Sequence, residues 1–331
     1  MTSKITHGTA ISVFIVCFIF VSVTLNVDRS WSKNDRRRMS SKGSLKNSVT
    51  IADGQMYEIM GSTPLYHDSN HFTQGLTYSN GVLYESSGMY DRSTVCQLDP
   101  NTGKSNKCVS LSSEYFAEGI QVYGNPGEEK LIQLTWKSRK GFIRDAETLE
   151  EISAFTFSTT MNQGWGICWD KANNEFIVSD GSSYLHFWDV ETLKEKRKVL
   201  VKRQDSSSSK MLNELEFVDG KILANVWYSD VLLVIDPVTG YCEKEYDFST
   251  LYPRKDRMQD HAGVFNGISV SDEEGVIFVT GKYWDRMYKV KLLEKIQEPE
   301  TSNEDEHENN EETNGAQALD NGDNSSETAS S

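Results

Sequence analysis

The chain is predicted to be all-β and to fold as a five-bladed β-propeller, from two series of internal echoes and the lack of useful helical periodicity between them. Gln74-Gly-Leu, Glu118-Gly-Ile, Trp165-Gly-Ile, Asn213-Glu-Leu and Asn266-Gly-Ile recur at intervals of 44, 47, 48 and 53 residues. Asp99-Pro-Asn-Thr-Gly, Asp145-Ala-Glu-Thr-Leu, Asp189-Val-Glu-Thr-Leu and Asp236-Pro-Val-Thr-Gly follow at intervals of 46, 44 and 47. A period of about 40 to 50 residues with several short strands per unit marks a propeller. Because a propeller presents equivalent positions of each blade to one central channel, Gln74, Glu118, Trp165, Asn213 and Asn266 should meet at one mouth.

Within each unit the echo opens an inner strand. Turns such as Ser79-Asn-Gly, Val218-Asp-Gly and Ser271-Asp-Glu-Glu-Gly return a second strand, seen in Leu83-Tyr-Glu-Ser, Phe176-Ile-Val-Ser, Ile222-Leu-Ala-Asn-Val-Trp and Val276-Ile-Phe-Val-Thr. A third strand ends at the Asp-x-x-Thr turn and a fourth lies outside. The strand signal around Gln55 to Met60 has no partner in its own unit. It is expected to complete the last blade beside Met287 to Leu292, which removes the open edge at the seam. The Ser206 to Ser209 run and the insertion from Pro253 to Val264 read as surface loops. The ends of the second strands are predicted to bring Glu85, Trp136, Asp180, Trp227 and Lys282 towards the same axis. Aromatic walls with a few convergent polar groups suit a small molecule or a peptide terminus.

The formal charge of −15 is uneven. Residues 1–50 carry +6, residues 294–331 carry −11, and the folded body, residues 51–293, carries −10. A net-negative body lacks the basic stripe that nucleic acid requires. The apolar stretch from Ala10 to Val27 reads as a signal anchor or a cleaved signal peptide, which makes residues 1–50 a membrane-contacting segment with a basic linker and routes the body to the secretory pathway. Its flank of Arg29, Lys33, Arg36, Arg37, Arg38 and Lys42 favours a cytoplasmic C-terminal side by the positive-inside rule, a conflict over orientation that the sequence leaves open. The acidic tail, residues 294–331, is expected to be disordered, and Asn324-Ser-Ser is a glycosylation sequon. Cys96 and Cys108 flank one hairpin turn and would oppose each other, either as a disulfide or as two free thiols. Cys168 and Cys242 have no evident partner, and no Cys-x-x-Cys pair or His cluster proposes zinc.

Ten short motifs, in order, carry a resemblance: Phe72-Thr-Gln-Gly-Leu76, Tyr84-Glu-Ser-Ser-Gly88, Phe116-Ala-Glu-Gly-Ile120, Leu134-Thr-Trp-Lys137, Gly164-Trp-Gly166, Ser179-Asp-Gly181, Leu212-Asn-Glu-Leu-Glu216, Ala224-Asn-Val-Trp227, Asn266-Gly-Ile268 and Val279-Thr-Gly-Lys282. Over residues 52–293 the chain resembles the plant and bacterial glutaminyl-peptide cyclotransferases, which are five-bladed propellers. The resemblance implies conversion of N-terminal glutaminyl residues of peptides and proteins to pyroglutamyl with release of ammonia. It puts the acid/base carboxylate on Glu118 and substrate binding on Phe72, Gln74, Phe116, Trp136, Trp165, Asn213, Trp227 and Lys282. Chemical plausibility adds Lys282 as the donor to the oxyanion, ahead of Gln74, and Asn213 as the group that holds the substrate amide or amine. The resemblance requires no cofactor and no catalytic metal, allows a structural calcium in the channel, and implies a monomer that acts in the endoplasmic reticulum or Golgi lumen, or is secreted. Two residues depart from the family pattern: Asp91 stands where relatives commonly have Gly, and Ala117 replaces the usual Gly beside Glu118. The rival reading is a non-catalytic propeller that binds peptide N-termini, against which Glu118, Asn213 and Lys282 stand together. Calcium-dependent lactonase propellers have six blades, and five units are counted here.

Overall fold

A computed structural model describes residues 56–293. It contains five four-stranded antiparallel sheets. Blade 1 comprises β2 (Thr73–Ser79), β3 (Val82–Ser87), β4 (Thr94–Leu98) and β5 (Ser105–Ser110), and blade 2 comprises β6 (Ala117–Tyr123), β7 (Lys130–Thr135), β8 (Lys140–Asp145) and β9 (Glu151–Thr156). Blade 3 is β10 (Ile167–Asp170), β11 (Glu175–Ser179), β12 (Tyr184–Asp189) and β13 (Glu195–Leu200). Blade 4 is β14 (Leu212–Val218), β15 (Lys221–Val226), β16 (Val231–Ile235) and β17 (Cys242–Asp247). Blade 5 runs β18 (Phe265–Val270), β19 (Val276–Gly281), β20 (Arg286–Leu292), and its fourth strand is β1 (Tyr57–Tyr66). Tyr57 to Met60 lie opposite Leu292 to Lys289, and after an irregularity Leu65 and Tyr66 pair with Met287 and Arg286. The closing strand is thus longer than its sequence signal.

The glycine of the first echo is a packing requirement. A Cβ on Gly119 would fall 2.5 Å from the Trp165 carbonyl oxygen, and one on Gly166 would fall 2.1 Å from that of Asn213. Inner strands crowd too closely for a side chain there. Blade 4 breaks the rule with Glu214, whose buried carboxylate accepts the backbone N–H of Leu76 in blade 1 at 3.3 Å and of Ile268 in blade 5 at 2.9 Å. Apolar clusters fill the spaces between blades; Leu76, Leu83, Leu98, Phe278 and Met287, for example, join blades 1 and 5.

The insertion after blade 4 holds a short helix, α1 (Arg254–Gln259), where the sequence suggested only loop. Six residues are too few to show a period. Buried Arg257 fixes it to Asp230 at 2.7 Å. Cys96 and Cys108 face each other across β4 and β5 and are disulfide-bonded, with Cα atoms 4.1 Å apart. Cys168 and Cys242 are free and buried. Among the described residues no helix is long and apolar enough to cross a membrane. The Ala10 to Val27 segment, the acidic tail and Asn324 lie outside the described residues.

Candidate active site

Strand register identifies the equivalent positions. Leu76 pairs with Glu85, Ile120 with Gln133, Ile167 with Val178, Leu215 with Ala224 and Ile268 with Val279. Two residues before the first member of each pair stand Gln74, Glu118, Trp165, Asn213 and Asn266, the ring read from the sequence. Three residues beyond the second member stand Gly88, Trp136, Gly181, Trp227 and Lys282. The second ring therefore differs from the sequence reading in two blades. Glu85 lies within β3, three positions early, and binds His67 and His71. Asp180, one position early, accepts the N–H groups of Met161 and Ser182 and meets the His186 ring at 3.3 Å. In their place the glycines make room, because a Cβ on Gly88 would lie 2.3 Å from the Phe116 ring and one on Gly181 2.6 Å from the Trp165 ring.

A polar chain crosses the seam between blades 5, 1 and 2. The ammonium of Lys282 donates to Oε1 of Gln74, and Nε2 of Gln74 donates to Oε1 of Glu118 at 3.1 Å. Glu118 is only 4 % exposed. Burial pushes its carboxyl well above the usual range, opposed by the charge of Lys282. Burial likewise lowers Lys282 to about 8, with Glu118 pulling it back up. A carboxyl and an amine moved towards each other in this way are suited to handling protons near neutrality.

Aromatic rings line the same mouth. Lys282 lies 4.4 Å from the centre of the Phe72 ring, Phe72 meets Phe116 edge-on at 6.0 Å, and Phe116 meets Trp136 at 5.5 Å. Trp165 and Trp227 form a perpendicular pair at 5.4 Å. Gln163 joins the two halves, its Oε1 accepting the indole N–H of Trp136 at 2.6 Å and of Trp165 at 2.9 Å. Sequence reasoning missed Gln163. The signal was present, since it occupies in blade 3 the place that Phe72 and Phe116 occupy in blades 1 and 2, two residues before the ring member. Tyr283, 5.1 Å from Phe72, and Tyr90, 5.4 Å from Phe116, were also missed. Asn213 and Asn266 each present a buried Oδ1 without a protein partner. Of the two departures from the family pattern, Ala117 is fully buried, with its N–H held by Ser93 at 2.9 Å, and Asp91 adopts φ 65°. Aspartate tolerates that left-handed conformation better than most residues.

The sequence model of the glutamine cyclotransferase family matches residues 38–292. The chain belongs to the glutamine cyclotransferase family. A glutaminyl-peptide cyclotransferase of Arabidopsis thaliana is 35 % identical over 238 residues, 71 % of each chain. The crystal structure of Myxococcus xanthus glutaminyl cyclase superposes with a TM-score of 0.62 at 32 % identity, covering 71 % of this chain and 96 % of that one. Not all of the chemistry in this cyclotransferase lies at the mouth. The sequence showed no zinc constellation, yet the fold brings His67, His71 and Glu85 together, with one ligand-type atom of each within 4.8 Å of the others. A recess of about 360 Å³, edged by Asn80, Gln97, Glu129 and Glu147, opens among the hairpin turns of blades 1 and 2 and has no part in either ring.

Proposed function

We propose that this cyclotransferase converts N-terminal glutaminyl residues of peptides and proteins to pyroglutamyl by holding the substrate between the Glu118 chain and the tryptophan walls. The observation that carries the reading is the Lys282–Gln74–Glu118 chain at the aromatic mouth.

Cyclisation joins the substrate's α-amino nitrogen to the γ-carboxamide carbon and breaks that carbon's bond to nitrogen. The side chain must be bent into a near-attack conformer, for which flat rings on several sides, Trp136, Trp165 and Trp227, are suited. Glu118 takes the proton that the attacking nitrogen sheds and returns it to the departing nitrogen, which leaves as ammonia. Its raised affinity for protons moves it towards that of an α-amine, about 7.7 to 8.0 in solution, so that transfer between them meets a smaller energy step. Lys282 and Gln74 are fixed donors for the oxyanion of the tetrahedral intermediate. The unpartnered Oδ1 of Asn213 accepts from the substrate's amine or amide nitrogen.

No step passes through a metal. A channel calcium would need six or more oxygen ligands. The two carboxyl oxygens of Glu214 are occupied by the N–H groups of Leu76 and Ile268, and those of Glu216 by Phe217 and Val270. Both carboxyls are thus already committed to backbone N–H donors.

The Cys96–Cys108 disulfide supports a body that matures in an oxidising compartment, which in this reading is the secretory lumen. The purified chain on a glutaminyl dipeptide should release one ammonia per pyroglutamyl formed. Binding of the dipeptide without ammonia release would instead favour the non-catalytic propeller.

A further inference from the structure

We propose that His67, His71 and Glu85 form a zinc site that clamps the approach to β2 against the turn bearing Lys282. His67 is 1 % exposed, and its Nδ1 lies 2.7 Å from the carbonyl oxygen of Trp284. A carbonyl only accepts, so Nδ1 carries the proton and Nε2 is left to face Oε1 of Glu85 at 3.0 Å. Imidazole lone pair and carboxylate repel, and the junction requires a cation between them, either a proton on Nε2 or a metal ion. His71 brings a second imidazole nitrogen to the other carboxylate oxygen, with Nδ1 2.7 Å from Oε2, and its tautomer is free to present either a proton or a lone pair there.

Two imidazole nitrogens and a carboxylate are a zinc donor set, with bonds of about 2.0 to 2.2 Å. Tetrahedral ligands at that distance stand roughly 3.3 Å apart, so the two imidazole–carboxylate spacings of 3.0 and 2.7 Å open by a few tenths of an ångström, while the three ligand atoms, which lie within 4.8 Å of one another, draw in around the ion. The Nδ1 bond from His67 to a backbone carbonyl is the support that ligating histidines ordinarily have, fixing ring and tautomer. The Thr73 hydroxyl donates to Oε1 of Glu85 at 2.7 Å and lies 3.3 Å from Nε2 of His67. The His71 side chain, 13 % exposed, gives the way in.

The location gives the ion a purpose. The His71 carbonyl accepts the N–H of Tyr283 at 2.7 Å and the N–H of His67 donates to Asp285 at 3.2 Å. Residues 67–73 lead into Phe72 and Gln74, and residues 281–285 carry Lys282. Zinc here fastens the two segments that hold one end of the catalytic chain, at the seam where the propeller closes, without entering the Glu118 mouth.

The test uses the untagged full-length chain, stripped with a chelator and titrated with zinc chloride, with bound metal and melting temperature as readouts. Wild type should hold one zinc more per chain than His71→Ala. At zinc about 100-fold above its dissociation constant, its melting temperature should rise by about 5 to 10 °C, a rise absent in His71→Ala and in Glu85→Gln. Equal zinc in wild type and His71→Ala, or equal melting shifts, overturns the proposal and leaves the junction to a proton. Should Glu85→Gln fail to fold, His71→Ala decides alone.

Discussion

Glu118 and Glu85 lie in adjacent blades, on β6 and β3, and are almost equally hidden from water, at 4 % and 1 % exposure. Burial alone would raise the proton affinity of both. In Glu118 it does so, because the neighbours are one neutral amide and a lysine that burial has itself weakened. In Glu85 the same desolvation is overturned by His67 and His71, which hold the carboxyl well below the usual range. Equal burial thus yields a reactive group in one blade and a locked anion in the next. What separates them is the company each keeps, and that depends on a register difference that no single motif displays.

Exchanging each carboxylate for its amide should break the pair in opposite directions. Glu118→Gln keeps shape and an acceptor but cannot carry a proton, so turnover should fall by at least about 10²-fold with folding little changed. Glu85→Gln, with zinc chelated, leaves two imidazoles without their anion and should cost about 3 kcal/mol of stability in denaturant unfolding, the scale for breaking a buried pair. Near-normal turnover in Glu118→Gln would remove it from the mechanism. Unchanged stability in Glu85→Gln would mean that the histidine junction is not ionic.

Glu216 sharpens the comparison as a third buried carboxyl, one without any cation. Burial raises it from 4.5 to about 7, restrained by the N–H groups of Phe217 and Val270. Between those two values the folded state binds more protons than the unfolded, so stability falls as pH rises, from full benefit below about 4.5 to none above about 7. The shift corresponds to about 3 kcal/mol at most. Glu216→Gln should flatten the slope of unfolding free energy against pH across that window, leaving the part due to Glu214, which is raised by burial and by Glu216. Identical slopes in variant and wild type would mean that Glu216 titrates like a solvated glutamate.

Much of this was legible in the sequence because repetition converts position into geometry. The first ring could be read directly, since each member precedes a Gly-Leu or Gly-Ile, or Glu-Leu in blade 4, that packing forces on the inner strand. The second ring was legible at Trp136, Trp227 and Lys282, where a distinctive side chain marks the place. It was misread in blades 1 and 3 because the true members are Gly88 and Gly181, whose contribution is space for Phe116 and Trp165. A glycine carries no chemical mark, and nearby Glu85 and Asp180 drew the reading instead. The His67, His71 and Glu85 cluster was missed for another reason: its third member comes from β3, and only the hairpin pairing of β2 with β3 brings it back to the first two.

The smallest expected effect lies at Gln163, and it compares the polar half of the mouth with the aromatic half. In blades 1 and 2 the equivalent position holds Phe72 and Phe116, which pack; in blade 3 Gln163 accepts two indole N–H groups and so orients Trp136 and Trp165 together. Gln163→Leu keeps the approximate volume and strands both donors, a loss of about 1 to 3 kcal/mol shared between folding and pocket geometry. The Michaelis constant for a glutaminyl dipeptide should rise about three- to tenfold while turnover stays within about twofold, because the ground-state fit loosens and Glu118 is untouched. Gln163→Glu, whose carboxylate can accept from both indoles, should restore most of the loss. If Gln163→Leu leaves the Michaelis constant unchanged, the tryptophans are held by packing alone, Trp165 by Trp227 and Trp136 by Phe116 with Lys137 3.8 Å above its ring, and the two halves of the mouth are built on the same principle after all.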